Sequence, residues 1–442
     1  MGEAGKIDRV VVINDDAAER GGAATIALMS AKLLNGRSIP VSYLAGTGDF
    51  DPELKAAGID TGVLGGRHIL DGSRGSAAVR GLFDPATETR LARWISDHDT
   101  PGTLYHLHNW HKVLSPSIFR PLRRVARRLV MSAHDYFLVC PNGGYFIYPQ
   151  HAACELVPAG WRCIGTNCDR RHYGHKLWRV ARHLTRRHLF ELNGSGAVVL
   201  AVHEKMVPLL ARAGIVADSI RVLRNPVMPW SGHRVTAEHN REVFFVGRLD
   251  GDKGADILAR AARLCGAPLR IVGDGPLSRS IARDNPEAQL LGWRTREEIT
   301  TLMQTARIVA SPTRSRETFG LVALEAVMSG IPVILSHLFA IGDELAQREL
   351  GVVCHPLDER TLAACIRELM HDDDAVHQMS CRGFSEGRSL APTAEQWCDQ
   401  LVSLYRQQLD HIAARHVHAA RRLSARDAAA SATASRPAGP QW

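Results

Sequence analysis

The sequence has no run of about 18 apolar residues, so no segment of it is expected to cross a bilayer as a helix. Residues Met1 to Asp8 lack the apolar core of a secretory signal and lead straight into the strand-like Val10-Val11-Val12-Ile13, which sets a cytoplasmic expectation. Aromatic residues are scarce at 6%, and no nucleic-acid module is recognisable; nucleic acid is therefore not an expected partner despite a formal charge of +8. No Cys-x-x-Cys pair occurs among the nine cysteines, which in a cytoplasmic chain read as thiols or metal ligands before disulfides. The glycine fingerprint of a nicotinamide enzyme is also missing. Gly21-Gly22 lacks the Gly-x-Gly-x-x-Gly spacing, and Gly273-x-Gly275 has no third glycine where one is required.

What is present is a long α/β pattern. At 442 residues, two domains and a tail are expected. Strand patterns fall at 9–14, 39–45, 103–108, 129–133 and 197–201, then again at 243–246, 269–272, 289–291, 308–310 and 333–335. Helix patterns alternate with them, among them 254–264 and 296–304, the latter with a Thr295/Glu298 capping box. Such alternation builds parallel sheets covered by helices, here two doubly wound Rossmann-like domains facing across a cleft. The expected division is 1–225, then 226–410 with its last helix returning to the first domain, then a disordered Ala/Arg/Ser-rich tail over 411–442.

Charge is unevenly placed. Between Cys168 and Phe190 stand Arg170, Arg171, Lys176, Arg179, Arg182, Arg186 and Arg187 against one acid, Asp169. Leu177, Val180, Ala181 and Leu184 recur there at helical spacing, a basic amphipathic helix. Together with a second basic stretch, Arg120 to Arg128, it reads either as a solvated face or as a surface for anionic lipid headgroups at the inner face of the cytoplasmic membrane.

The segment Glu317-Thr-Phe-Gly-Leu-Val-Ala-Leu-Glu325 follows a strand and enters a helix that is apolar on all sides. Glu325 is the one charge there, and an unpaired buried carboxylate costs several kcal/mol, so it requires either a cation or the hydroxyls of a ligand. Glu317 precedes the helix start, where the amides of Phe319, Gly320 and Leu321 are free to receive an anion. This order suits a sugar phosphate; a capping acid plus a core ion pair is the plainer alternative. Arg248 and Lys253 lie in a loop that enters a helix, where cations oppose the macrodipole, and a bound diphosphate would neutralise both. The Gly21-Gly22 and Gly273-Asp-Gly275 loops read equally as phosphate-approach loops or as tight strand-to-helix turns. His134 ends the 129–133 strand pattern, at the cleft edge, while His106, His108 and His111 crowd another strand end. Cys140, Cys154, Cys163 and Cys168 sit within an insertion of 29 residues and are either plain thiols, a structural zinc site or a disulfide.

Taken together, Gly-Arg-Leu at 247–249, Lys253-Gly254, Ile-Val-Gly-Asp-Gly-Pro at 271–276, Leu-Gly-Trp at 291–293, the 317–326 segment and Gly-Ile-Pro-Val-Ile at 330–334 resemble the family-4 glycosyltransferases, retaining enzymes of the two-domain GT-B fold. The first half resembles them more loosely, in Gly21-Gly22-Ala23 and His134-Asp135. The resemblance implies a UDP- or GDP-linked sugar donor, a lipid-linked or polysaccharide acceptor, and no metal at the diphosphate. Arg248 and Lys253 would hold the diphosphate, Glu317 the transferred sugar, Glu325 the ribose, and His134 the donor sugar beside the acceptor; Gly22 would let its loop approach the diphosphate. A nucleotide-sugar epimerase and a non-catalytic sugar-nucleotide scaffold are the competing readings. Where relatives carry a Gly-Gly pair after Pro-Val-Ile, this chain has Phe339-Ala340-Ile341, a departure that bears on the sugar pocket.

Overall fold

The computed structural model describes residues 5–19, 21–66, 74–355 and 357–434. Two separate sheets organise the chain. The first is seven-stranded, from β1 (Arg9–Asn14), β2 (Val41–Ala45), β3 (Asp60–Val63), β4 (Thr103–Leu107), β5 (Leu129–Ala133), β8 (Val198–Ala201) and β9 (Ile220–Val222), in the order β3-β2-β1-β4-β5-β8-β9. Between β5 and β8 a small antiparallel hairpin, β6 (Phe146–Ile147) and β7 (Ala152–Ala153), lies in the cysteine-bearing insertion. The second sheet is six-stranded, from β10 (Glu242–Val246), β11 (Leu269–Val272), β12 (Gln289–Gly292), β13 (Ala306–Ser311), β14 (Val333–Ser336) and β15 (Gly351–Cys354), in the order β12-β11-β10-β13-β14-β15. Neighbours in both large sheets are parallel, as βαβ connections require. The central strands are buried on both faces, so their sequences are near-continuous Val and Ile runs.

In each sheet the strand order reverses at the parallel pairs β1/β4 and β10/β13, and the loops after β1 and β13 approach each other at Gly22 and Leu321. This is the switch-point geometry in which such sheets bind ligands. The halves are tied by Arg170–Asp250 at 2.6 Å, Arg224–Glu344 at 3.0 Å, and the pairs Lys205–Asp343 and Arg316–Glu155. The last helix, Ala394–Ala434, returns to the first sheet, where Trp397, Cys398, Leu401, Val402, Tyr405 and Leu409 join the core of β1 and β2. Its backbone is helical through Ala434, as Ala and Arg favour, and the remainder of the 411–442 tail lies outside the described residues.

The basic helix departs from expectation. It forms, as Tyr173–Leu189, but its cations turn inward: Lys176 is 1% exposed and Arg182 and Arg186 are each 6%, while Leu177 and Leu184 face solvent. Arg182 reaches the carbonyl oxygens of Gly81, His111, Leu114 and Trp110 at 2.8–3.4 Å and stacks on the Trp110 and Trp178 rings. A guanidinium has enough donors to close an irregular loop whose carbonyls would otherwise be unpaired, which is why this face is buried. Lys176 and Arg182, both engaged inside the fold, are therefore not available to a membrane surface.

Candidate functional site

Glu317 and Lys253, 64 residues apart, form an ion pair of 2.6 Å. Both are about three-quarters buried. Burial alone would lower the Lys253 pKa, yet the Glu317 carboxylate holds it above its ordinary value, and Arg248 is close enough to oppose that rise. Glu317 is fixed by its backbone, whose amide donates to Leu338 and whose carbonyl accepts from Ala340. The unusual 339–341 segment is thus the rail on which Glu317 rides. Phe339 and Ile341 are buried behind Gly320 rather than lining the opening.

Gly320 has φ of +98° and starts the helix Leu321–Met328; a Cβ there would lie 2.9 Å from the Phe339 ring. The Phe319 and Gly320 amides donate to no acceptor among the described residues, which leaves them open at a helix start. Across the gap, a Cβ on Gly22 would stand 3.1 Å from Leu321, so the first glycine loop and this helix start approach closely. Arg20, at the head of that loop, lies outside the described residues. Glu325 is 15% exposed and meets a cation: Arg296 donates to its Oε1 at 2.6 Å and also reaches the Met228 and Pro229 carbonyls. Burial still raises the Glu325 pKa, with Arg296 opposing. Its second oxygen accepts no hydrogen bond from a described residue.

Arg248 is exposed and pairs with Asp250, which also takes Arg170 from the first half. Gly273 and Gly275 serve close backbone packing: Cβ atoms there would lie 1.9 Å from the Gly247 oxygen and 2.7 Å from the Leu249 oxygen. They hold the Arg248 loop against its neighbour, and only glycine permits that approach.

From the first sheet, His134 follows β5, and Thr318 donates to its carbonyl oxygen at 2.9 Å, joining it to the Glu317 segment. His108 Nδ1 and His134 Nε2 are 2.9 Å apart, and burial lowers the His134 pKa to about 4, so the ring is neutral at neutral pH. His106, next to His108, bonds Ser132 and Tyr405 of the last helix, at 2.8 and 2.6 Å. Beside them is a small cavity lined by His108, Trp110, His111 and Asp135. Buried Asp15, just past β1, accepts the amides of Lys112, Val113 and Leu114 and so shapes the loop that carries His111. Sequence reasoning missed Asp15, Thr318 and Arg296; an acid closely following the apolar run Val10-Val11-Val12-Ile13 was the one available signal, for Asp15.

The four insertion cysteines are all buried and free. Cys163 and Cys168 flank the Lys176 ammonium at 3.4 and 3.2 Å. Among the described residues no group of three or more His, Cys, Asp or Glu is arranged to hold a metal ion, so the thiols as placed do not fit a zinc site. An ammonium between two sulfurs occupies the space a tetrahedral ion would need.

Two parallel-sheet domains with their loops facing across a gap define the GT-B fold of glycosyltransferases. Residues 240–372 match the model of the group 1 glycosyl transferases. The chain is 32% identical over 271 residues to a glycogen synthase from Mycobacterium tuberculosis, covering 57% of this chain and 62% of that one. It is 29% identical over 180 residues to a D-inositol 3-phosphate glycosyltransferase from Corynebacterium urealyticum, covering 37% and 42%. It thus spans about three fifths and two fifths of the lengths of these relatives. In structure it is similar to Anabaena HepE, crystallised with UDP and glucose, with a TM-score of 0.63, 18% identity, and coverage of 90% of this chain and 99% of that one.

Proposed function

We propose that this chain is a retaining family-4 glycosyltransferase that moves a sugar from a UDP- or GDP-linked donor to a hydroxyl of a lipid-linked or polysaccharide acceptor, in surface polysaccharide biosynthesis. The observation that carries this reading is the Lys253–Glu317 pair beside open helix-start amides, joined through Thr318 to His134 of the opposite domain. Lys253 and Arg248 would receive the diphosphate, and the Phe319 and Gly320 amides would add N–H donors without a metal. Glu317 would orient the sugar hydroxyls, and the free oxygen of Glu325 would accept from the ribose. His134, neutral at its pKa of about 4, would hold a sugar hydroxyl rather than supply a proton. The acceptor would enter beside Asp135 and His111.

In the reaction, the bond from the sugar C1 to the phosphate oxygen breaks and the acceptor oxygen bonds to C1 on the same face. The acceptor proton passes to the departing phosphate oxygen. Stabilising that oxygen is an electrostatic task worth about 3–4 kcal/mol per well-placed donor. Turnover in Glu317→Gln and Lys253→Met is therefore expected to fall by about two or more orders of magnitude while both variants remain folded at the assay temperature. Near-normal turnover in both variants, assayed as acceptor-dependent release of nucleoside diphosphate, would refute the assignment. Peripheral membrane association rests on exposed Arg123, Arg124 and Arg127 rather than on the inward-facing helix. Anionic vesicles that fail to retain the protein at low salt count against it.

A further inference from the structure

Beyond the Tyr173–Leu189 helix lies a second cavity, partly open to solvent, which the cleft does not use. His183, Arg186 and Arg187 line one wall, Leu138 and Pro158 another, and the 213–215 turn closes the end. Arg186 is 6% exposed, yet its Nε has no hydrogen-bond partner, and its guanidinium makes no ion pair or hydrogen bond with a described residue. One turn earlier the equally buried Arg182 has four carbonyl acceptors, so the helix is able to satisfy a buried arginine and here does not. His183, 5% exposed, also has an unpartnered Nδ1. The one carboxylate on the rim, Glu191, is exposed and accepts the Asn193 amide through Oε1.

A buried guanidinium with no direct ion pair, balanced only by the more distant Glu191 carboxylate, is costly, so a fold that retains one in the wall of a cavity leaves a place for an anion. We propose that this cavity is an anion-binding site, separate from the cleft, for a phosphate-bearing ligand that Arg186 grips through its planar fork, with Arg187 and His183 at the flanks. Two permanent cations against one rim carboxylate favour a dianion over a carboxylate, and a guanidinium fork matches two phosphate oxygens at once. The phosphate is either that of a free small molecule or a lipid headgroup.

The test is calorimetric titration of the full chain with inorganic phosphate and glycerol 3-phosphate at matched ionic strength, alongside flotation with phosphatidylcholine vesicles with and without phosphatidic acid. An Arg248→Gln/Lys253→Met background removes the cleft as a competing phosphate site, so the outcome is independent of the glycosyltransferase reading. Saturable binding that survives in that background and falls at least tenfold on Arg186→Met supports the site. Binding of the soluble phosphates assigns a free ligand, whereas binding confined to phosphatidic acid vesicles assigns a headgroup. Arg186→Met without ligand should melt at or above the wild-type temperature, because it removes an uncompensated charge. Arg187→Gln, on the cavity rim, should weaken binding several-fold and serves if Arg186→Met does not fold. No saturable binding of any probe, or binding unchanged in these variants, overturns the proposal.

Discussion

Arg296→Met isolates what the Arg296–Glu325 pair contributes, because it keeps the stem and removes the charge. Glu325 is 15% exposed and Arg296 40%. Two unit charges about 4 Å apart at an effective dielectric near 20 attract by about 4 kcal/mol. Removing one partner of a fully buried pair costs about 3–5 kcal/mol. The exposure of Arg296 calls for a discount of about half, so the variant should lose about 2 kcal/mol at neutral to alkaline pH. In a domain of this size that corresponds to a melting shift of roughly 4–8 °C. The pH dependence gives the sharper test. Burial raises the Glu325 pKa in the folded chain and Arg296 restrains it, so loss of Arg296 raises it further. For an acid whose folded pKa is raised, the stability is intact below the unfolded value and is lost as pH rises through the folded value. The penalty should therefore be largest near about pH 8 and shrink toward about pH 5. What remains there is the loss of the bonds to the Met228 and Pro229 carbonyls, about 1 kcal/mol. Adding Glu325→Gln should recover most of the alkaline loss. Equal destabilisation at both pH values, or no rescue by the second substitution, measured by denaturant unfolding, refutes the reasoning.

Tyr405→Phe removes the 2.6 Å bond to His106 and should cost about 1 kcal/mol, whereas Trp397→Ala opens the core under the last helix and should cost about 3–5 kcal/mol; equal losses on unfolding would contradict this placement of the helix. Burial raises the Asp135 pKa to about 6, so the carboxylate costs stability as pH rises through about 6. Asp135→Asn should accordingly melt higher than wild type at alkaline pH and lose that advantage below the unfolded value; a gain independent of pH would rule out a strained carboxylate.

Much of this architecture is local and was legible. β1, β5 and β11 appear where the Val- and Ile-rich runs place them, and the Thr295/Glu298 capping box forms as its spacing predicts. β1 is central and buried on both faces and carries a near-continuous apolar signal, while β5 and β11 remain mostly apolar, broken by Ser132 and Arg270. β3, β9 and β15 left no such signal. They are short, lie at or toward the sheet edges, and are interrupted by Gly62, Arg221 or Gly351.

Glu325 marks the boundary between the two kinds of information. Its place on an apolar helix dictated that it needs a partner, since a lone buried carboxylate is too costly in any fold. That the partner is Arg296, 29 residues earlier, was decided by where two helices of different βαβ units meet. The same holds for Lys253 and Glu317, and for His108 and His134, which strand order brings together. For the Tyr173–Leu189 helix, periodicity revealed two faces but named the wrong one as buried. Apolar spacing records where side chains lie around a helix, whereas carbonyls left unpaired in a distant loop determined which face had to turn inward.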